Sequence, residues 1–416
     1  MMRSLYNFFT YGSQAVLWPT QFFNKKMKHF VVGRRAVFSI LKEQLSETDT
    51  SIWFHCASLG EFEQGLPIME AIKKNYSTYK IVVTFFSPSG YEVKKNAPMA
   101  DVVTYLPYDT VENAQKFLSI VRPAMAFFVK YEFWPNYLFE LQKNNVPTFL
   151  ISGLFRKNQS FFKPYGGFMR KALGSFDHLF VQNEKSKKLL HDIGFHNVSI
   201  SGDTRFDRVS HQIEMDNTLD FMEQFKGNSL CIVCGSTWPE DEAVLLPFIH
   251  SEPAQNVKFV IAPHTIDDEK INAFKKKFQG NMVRYTERNQ TNLAEASILM
   301  IDTIGLLTKI YSYADIAYVG GAMGHTGLHN ILEPATFGIP IVIGKHFEKF
   351  PEAIKLQDIA GLYSVEDEKE TAKILGKLVN DQKFREQTGM IAGHFVNSNT
   401  GATRIIMEHL HRNGLV

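Results

Sequence analysis

The residues HCASLGEFEQG set Ser58, Gly60 and Glu61 just beyond a strand-like apolar run, at the carboxyl end where open α/β sheets collect their sites. A carboxylate there could act as general base toward an incoming hydroxyl, an effect typically worth about 10² to 10⁴ in rate. The same glutamate also reads as a first-turn helix residue favoured by the dipole. A second stretch, YVGGAMGHTGLHNILEPATFGIPIVIGKHFEKFP from Tyr318 to Pro351, holds a Gly/His loop between strand-like runs at residues 316–321 and 339–344. Amides at such a strand-to-helix junction suit an anionic group. Asn330 and Glu333 read either as a capping-box pair or as ligand contacts, with Glu333 accepting from vicinal hydroxyls such as those of a ribose. Gly320, Gly321, Gly324 and Gly327 are expensive in chain entropy, and the expectation is that they keep bulk off a surface that also carries His325 and His329. Those two histidines stand four apart, but glycines interrupt them and no carboxylate completes an HExxH. No metal and no cofactor are expected.

Elements must hold these groups. With 416 residues the chain calls for two domains, and 44% apolar with 21% charged residues describes a folded globular protein. A formal net charge of +2 gives no reason to expect a nucleic-acid partner. Three cysteines cannot build a disulfide framework; Cys231 and Cys234 form a CxxC, but inside the apolar run LCIVCG their spacing sends them to opposite strand faces as core residues. Apolar runs at 52–57, 80–86, 102–106, 125–129, 148–152 and 178–182 alternate with helical stretches at 66–74, 111–119 and 184–193. After an irregular segment at 207–228, a second series follows at 230–234, 257–262, 298–301, 316–319 and 339–343. The fold class is therefore α/β, with two doubly wound domains.

The N-terminus, MMRSLYNFFTYGSQAVLWPTQFFNKKMKHFVVGRR, is aromatic but broken by Asn7, Ser13, Gln14 and Pro19, and it has no cleavage site of the secretory kind. With Lys25, Lys26, Lys28, Arg34 and Arg35 behind it, the segment suits an anionic membrane surface; packing on its own domain is the plainer reading.

At these same residues the chain resembles the bacterial Kdo transferases, which move 3-deoxy-D-manno-octulosonic acid from CMP-Kdo to lipid A precursors. GLHNILEPATFGIP is similar to their nucleotide signature, with Leu328 in place of a glycine, and SLGE matches their SVGE. The resemblance implies GT-B architecture, Rossmann-like domains facing across a cleft, and Glu61 as proton acceptor. VKYEFWPN resembles ETELWPN, which implies Glu132 as a site carboxylate, with Lys130 replacing the family's first glutamate; an ion pair with Lys130 or another neighbour at a strand end is the plainer reading of Glu132. GDTRFD resembles GNLKFD and implies that Arg205 stabilises charge on the donor in the transition state, in place of a lysine. For the nucleotide it implies Pro263 and His264 in IAPHTIDDE, Ile304, Gly305 and Leu306 in DTIGLL, and Asn330, Ile331, Leu332 and Glu333. The basic residues Arg156, Lys157, Lys163, Arg170 and Lys171 read either as contacts for acceptor phosphate or as a solvated face.

The implied division is a membrane-associated segment 1–35, an acceptor domain 36–207 and a CMP-sugar domain 208–416, whose closing helix at 405–411 is free to pack back on the first domain. The implied partners are CMP-Kdo, a lipid A precursor and the cytoplasmic face of the inner membrane. Another GT-B enzyme, such as a lipid-linked glycosyltransferase or an epimerase, would keep the nucleotide loop without needing SLGE and EFWPN. A non-catalytic nucleotide-sugar binder would dispense with Glu61.

Overall fold

The computed structural model describes residues 2–415, which form two compact units. The first runs to Arg208 and takes in the tail from Thr400; the second is Val209–Asn399. In the first unit seven parallel strands, β1 (Ser51–Cys56), β2 (Lys80–Phe85), β3 (Val102–Tyr105), β4 (Pro123–Val129), β5 (Thr148–Gly153), β6 (His178–Val181) and β7 (Val198–Ile200), lie in the order β3-β2-β1-β4-β5-β6-β7. Helices cover both faces, so β1 is buried at every position and its alternating side chains feed two cores. Trp53, Phe128 and Tyr137 pack under one face, and Phe54, Phe127 and Phe149 under the other.

The second unit repeats the plan. Strands β8 (Leu230–Thr237), β9 (Val257–Pro263), β10 (Met282–Arg284), β11 (Ile298–Met300), β12 (Ile316–Val319), β13 (Ile341–Gly344) and β14 (Leu362–Val365) lie in the order β10-β11-β9-β8-β12-β13-β14. Cys231 and Cys234 are fully buried in opposite cores, and burial pushes the Cys231 thiol up to about 12, so neither is poised for redox chemistry. The direction of growth reverses between β1 and β4 in the first sheet and between β8 and β12 in the second, where β11 also inserts between β10 and β9. Loops leaving two such strands diverge to opposite faces and open a crevice at their carboxyl ends. The expected strands all form; β7, β10 and β14, which the apolar pattern does not predict, are sheet edges of three or four residues.

The helix Met2–Leu17 docks by its polar face. Tyr6 Oη donates to Asp109 Oδ2 at 2.6 Å, Arg3 Nε donates to Asn136 Oδ1 at 3.2 Å, and Asn136 Nδ2 donates to Asn7 Oδ1 at 2.9 Å. Leu5, Phe8, Phe9 and Val16 are exposed, and Trp18, Phe22 and Phe23 extend the apolar surface through the next turns. Among the described residues no helix is long and apolar enough to cross a membrane.

The closing helix Ala402–Arg412 packs within the first unit, where Ile406 and Leu410 enter the core of the Phe54 face. Its start is held by Asp207, whose carboxylate accepts from the Gly401 amide at 2.5 Å, the Thr403 amide at 2.6 Å and the Thr403 hydroxyl at 2.7 Å. Replacing the carboxylate leaves these donors unpaired, at a cost of about 2 kcal/mol. Asp207→Ala should therefore speed hydrogen exchange across 402–412 by one to two orders of magnitude, roughly that energy as a rate ratio, while amides of the second unit stay unchanged.

Candidate active site

In the first unit the switch point gathers two carboxylates. Glu61 lies in the first turn of the helix Leu59–Asn75 that follows β1, and Glu132 follows β4, the strand paired with β1. The Ser58 amide donates to Glu61 Oε2 at 2.9 Å and the Ser58 hydroxyl at 3.2 Å, so Glu61 does cap its helix; Oε1 makes no hydrogen bond among the described residues. Burial, with the charge of Glu132 added to it, pushes the Glu61 carboxyl up to about 7, against the opposing pull of the Ser58 amide and the Lys130 ammonium. A carboxyl poised there is half ionised near neutrality, as a general base requires.

Glu132 is held at one oxygen by ring nitrogens of Trp134 and His55. Trp134 Nε1 donates to Glu132 Oε2 at 2.8 Å, and the buried His55 ring lies 3.2 Å from the same oxygen through Nε2. Lys130 has φ +68, the left-handed region, which turns the chain sharply as it leaves β4.

Arg205 belongs to the same neighbourhood. Asp203 is buried and receives Arg205 Nε at 2.9 Å, Arg205 Nη2 at 2.8 Å and Gln64 Nε2 at 2.9 Å; Gln64 stands one turn after Glu61 on the same helix. Burial raises the Asp203 carboxyl, but Arg205 more than offsets this and leaves it below its usual value. The Tyr131 phenol, just after β4, is raised chiefly by burial, and it feels the charges of Arg156, Glu61, Arg205 and Asp203. Of the basic segment, Arg170 is committed to the carbonyls of Phe161 and Lys163 at 2.7 and 3.0 Å, while exposed Arg156 reaches the Tyr131 hydroxyl at 3.3 Å.

The second unit builds its site at its own switch point. Asp241, fully buried after β8, accepts from the Trp238 amide at 2.9 Å, the Tyr318 hydroxyl at 3.0 Å and the Gly321 amide at 2.9 Å, and so ties the loop after β12 to the end of β8. A Cβ on Gly320 would stand 2.4 Å from the Ser236 carbonyl oxygen, and one on Gly321 2.1 Å from that of Gly327. These two glycines let backbone pack on backbone, a different role from the open surface expected of them. On this loop His329 lies 4.5 Å from the His264 ring, which stacks on Trp238 at 4.7 Å. Burial and then His264 push His329 down to about 4, and burial lowers His264, so both rings are uncharged at neutral pH.

Pro263 closes β9 beside these rings. Asn330 accepts from the Leu332 amide at 3.1 Å and donates to Glu333 Oε1 at 3.0 Å, while the N-cap position is Ile331, without a side-chain cap, so the two side chains tie to each other rather than forming the expected capping box. Thr308 donates to Glu333 Oε2 at 3.1 Å, which brings the turn of Ile304, Gly305 and Leu306 to the same place. Ile304 is 91% exposed and Gly305 has φ +96, whereas Ile331 and Leu332 bury their side chains and offer a ligand only backbone. The helix Leu332–Thr336 has only five residues, so its dipole is small and an anion must be held by individual amides. Among the described residues no group of three or more His, Cys, Asp or Glu is arranged to hold a metal ion.

Residues 32–208, which contain Glu61, Glu132 and Arg205, match the family model described as 3-deoxy-D-manno-octulosonic-acid transferase (kdotransferase). Over these residues the first unit is similar to the Kdo transferase family. The chain is 25% identical over 373 residues to a 3-deoxy-D-manno-octulosonic acid transferase of Haemophilus influenzae, covering 86% of each chain. It is 27% identical over 350 residues to the protein of that name in Aquifex aeolicus, covering 82% of this chain and 90% of the relative. A bifunctional glycosyltransferase/methyltransferase of Fusobacterium nucleatum is 28% identical over 88% of this chain, which spans 58% of that longer relative. In fold, the chain is similar to a UDP-GlcNAc 2-epimerase from Neisseria meningitidis, with TM-score 0.63 at 15% identity over 87% of this chain and all of the other. Acinetobacter baumannii MurG gives 0.54 at 11% identity over 88% and 99%. Its relatives and its fold make the chain a glycosyltransferase with two Rossmann-like domains.

The structure adds residues to which the sequence reading gave no role: His55, Thr84, Gln64, Asp203, Trp238 and Asp241. A polar residue in an apolar strand, as in IWFHCA and KIVVTFF, was the available signal for His55 and Thr84; one of three adjacent acids in a helical first turn, Glu240 to Glu242, gave none for Asp241.

Glu61 also makes a stability prediction. Its folded-state value of about 7 lies above the ordinary carboxylate value of 4.5, so the folded chain binds the extra proton and stability falls as pH rises between these values. Glu61→Gln keeps the acceptor for Ser58 and removes the charge. The variant should match wild type near pH 4 and exceed it by up to about 3 kcal/mol above pH 7, read by denaturant unfolding across pH.

Proposed function

We propose that this glycosyltransferase is an inverting Kdo transferase, moving Kdo from CMP-Kdo to a lipid A precursor at the cytoplasmic face of the inner membrane. The observation that carries the reading is the carboxylate pair of Glu61 and Glu132 at the switch point of a unit that matches the kdotransferase family model. Glu61 takes the proton of the acceptor's primary hydroxyl as its oxygen attacks the anomeric carbon of Kdo, and CMP departs with the electron pair of the broken bond. Arg205, oriented by Asp203, offsets the negative charge growing on the leaving phosphate.

The donor's nucleotide is assigned to the second unit. Pro263 and His264 meet it from β9, Gly305 and Leu306 offer backbone, and Asn330 with Glu333 takes the ribose hydroxyls by exchanging their mutual hydrogen bond for bonds to the ligand. Cytidine carries one phosphate, so no diphosphate needs a bridging cation, and uncharged His264 and His329 add no fixed charge beside it. Membrane association is supported by the helix Met2–Leu17, whose polar face is spent on the protein while its apolar face is bare.

Transfer of Kdo from freshly generated CMP-Kdo to a tetraacylated lipid A precursor, in detergent with EDTA present, tests the reaction, and product mass counts the sugars added. Wild type should form product, and Glu61→Gln should lose about 10³-fold or more in rate while still binding CMP. A folded wild type that binds CMP and forms no product would point to another acceptor or another sugar nucleotide. Separately, Phe8→Ser with Phe9→Ser and Phe22→Ser should release the chain from vesicles containing anionic lipid without changing transfer to detergent-dispersed acceptor; unchanged vesicle binding would remove the anchor role.

A further inference from the structure

Arg34 is a buried cation with no anion beside it. Its guanidinium donates from Nε to the Leu106 carbonyl at 3.0 Å, from Nη1 to that of Phe30 at 2.8 Å and from Nη2 to that of Phe86 at 2.8 Å. The residue is 6% exposed, and no carboxylate pairs with it among the described residues. Three of its five N–H groups are thereby used and two are left. The Phe30 and Phe86 rings lie 3.8 and 4.8 Å from the guanidinium carbon, and although burial lowers its pKa to about 10, the group stays charged at neutral pH. Arg34 lines a cavity of about 180 Å³ between the helix Met2–Leu17 with its following turn and the rest of the first unit, together with Gln14, Trp18, Arg35, Phe38 and Tyr108. One water needs about 10–15 Å³ on this measure, so the cavity has room for a group of several heavy atoms. Gln14 Nε2 is buried and has no hydrogen-bond partner among the described residues.

A guanidinium without an anion and an amide without an acceptor, lining one cavity, are matched by a negative group with several oxygens, since buried donors left unpaired are costly. A phosphate, rich in acceptors, meets both donors and bonds a guanidinium with charge-assisted strength. The acids next to the lining residues in the chain are already engaged: Asp109 accepts from Tyr6 and Glu112 from Tyr11. Arg35, exposed at the rim, reaches Gln21 Oε1 at 3.3 Å, and Lys25, Lys26 and Lys28 stand on the preceding helix Lys25–Gly33. Also at the rim, Trp18 meets the Phe22 ring edge-on at 5.6 Å, and exposed Phe22 and Phe23 continue the apolar surface. We propose that this cavity binds the phosphate head of an anionic lipid, held by Arg34 and Gln14, whose apolar tail leaves past Trp18 and Phe22. None of these residues is among the reacting groups, and the site does not rest on the proposed transfer. It adds a particular head group to a membrane association that otherwise draws only on apolar side chains.

The test is calorimetric titration of the full-length chain, in a neutral detergent, with dihexanoyl phosphatidic acid. Two further ligands separate its parts: dihexanoylglycerol has the same tails without the phosphate, and inorganic phosphate has no tail. The phosphatidic acid should bind one per chain and roughly tenfold or more tightly than either. Gln14→Leu leaves every charge in place and removes one donor, so it should weaken that binding about tenfold, the worth of one hydrogen bond to a charged group. General attraction to the lysines would not respond to this change. Arg34→Gln should abolish the preference for the phosphatidic acid over the glycerol lipid. Absent or equal binding of the two lipids by wild type would overturn the proposal, as would inorganic phosphate binding as tightly as the lipid, or wild-type affinity in Gln14→Leu. If Arg34→Gln does not fold, the Gln14→Leu comparison decides alone. Neither CMP-Kdo nor a sugar acceptor enters the assay, so its outcome is independent of whether Kdo is transferred.

Discussion

The first unit is arranged around a buried carboxylate, Glu61, raised first by burial and then by the charge of Glu132. Here Glu61 is held by the Ser58 cap at the start of a helix, and Glu132 by Trp134 and His55 at the end of the neighbouring strand. Burial completes the effect, lifting Glu61 to about 7. The sheet makes this possible because β1 and β4 are adjacent and parallel while their loops leave in opposite directions. A single proton at this place is what the proposed base chemistry needs, and the structure accepts lower stability to keep it.

The second unit solves a different problem, holding a glycine-rich loop still. Asp241 does this from full burial by accepting two amides and a phenol, and the backbone-on-backbone contacts of Gly320 and Gly321 bring the loop onto the end of β8. The loop then carries His329 to His264, and Asn330 to Glu333, on a base with little freedom. Pre-ordering of this kind lowers the entropy a ligand must give up on binding.

Much of this was legible in the residues. Parallel strands covered on both faces must be continuous apolar runs, and those runs mark all central strands of both sheets. The edges β7, β10 and β14 are short and half-covered, so SYSV-like pieces such as the LYSV of β14 carry no comparable signal. Glu61, Glu132 and Asn330 with Glu333 could be found from motif and position. The local bonds show why spacing alone left them ambiguous: Glu61 caps its helix start and Asn330 bonds an amide of the helix that follows it, while both lie at a switch point. The partners were hidden for another reason. His55, Thr84 and Asp241 act through contacts 29 to 80 residues away in sequence, which no window of local pattern spans. The glycines were misread because close backbone packing and an open binding surface ask for the same residue.

The central claim is that a carboxyl raised by burial and by its neighbour accepts the proton during transfer. The most direct test is the single-turnover rate of Kdo transfer by the wild-type chain across pH, with donor and acceptor saturating. The account predicts a rate that rises tenfold per pH unit at acid pH and levels off with a midpoint near the 7 expected for Glu61. A rate that stays flat down to about pH 5, near the value of an ordinary carboxylate, would contradict it.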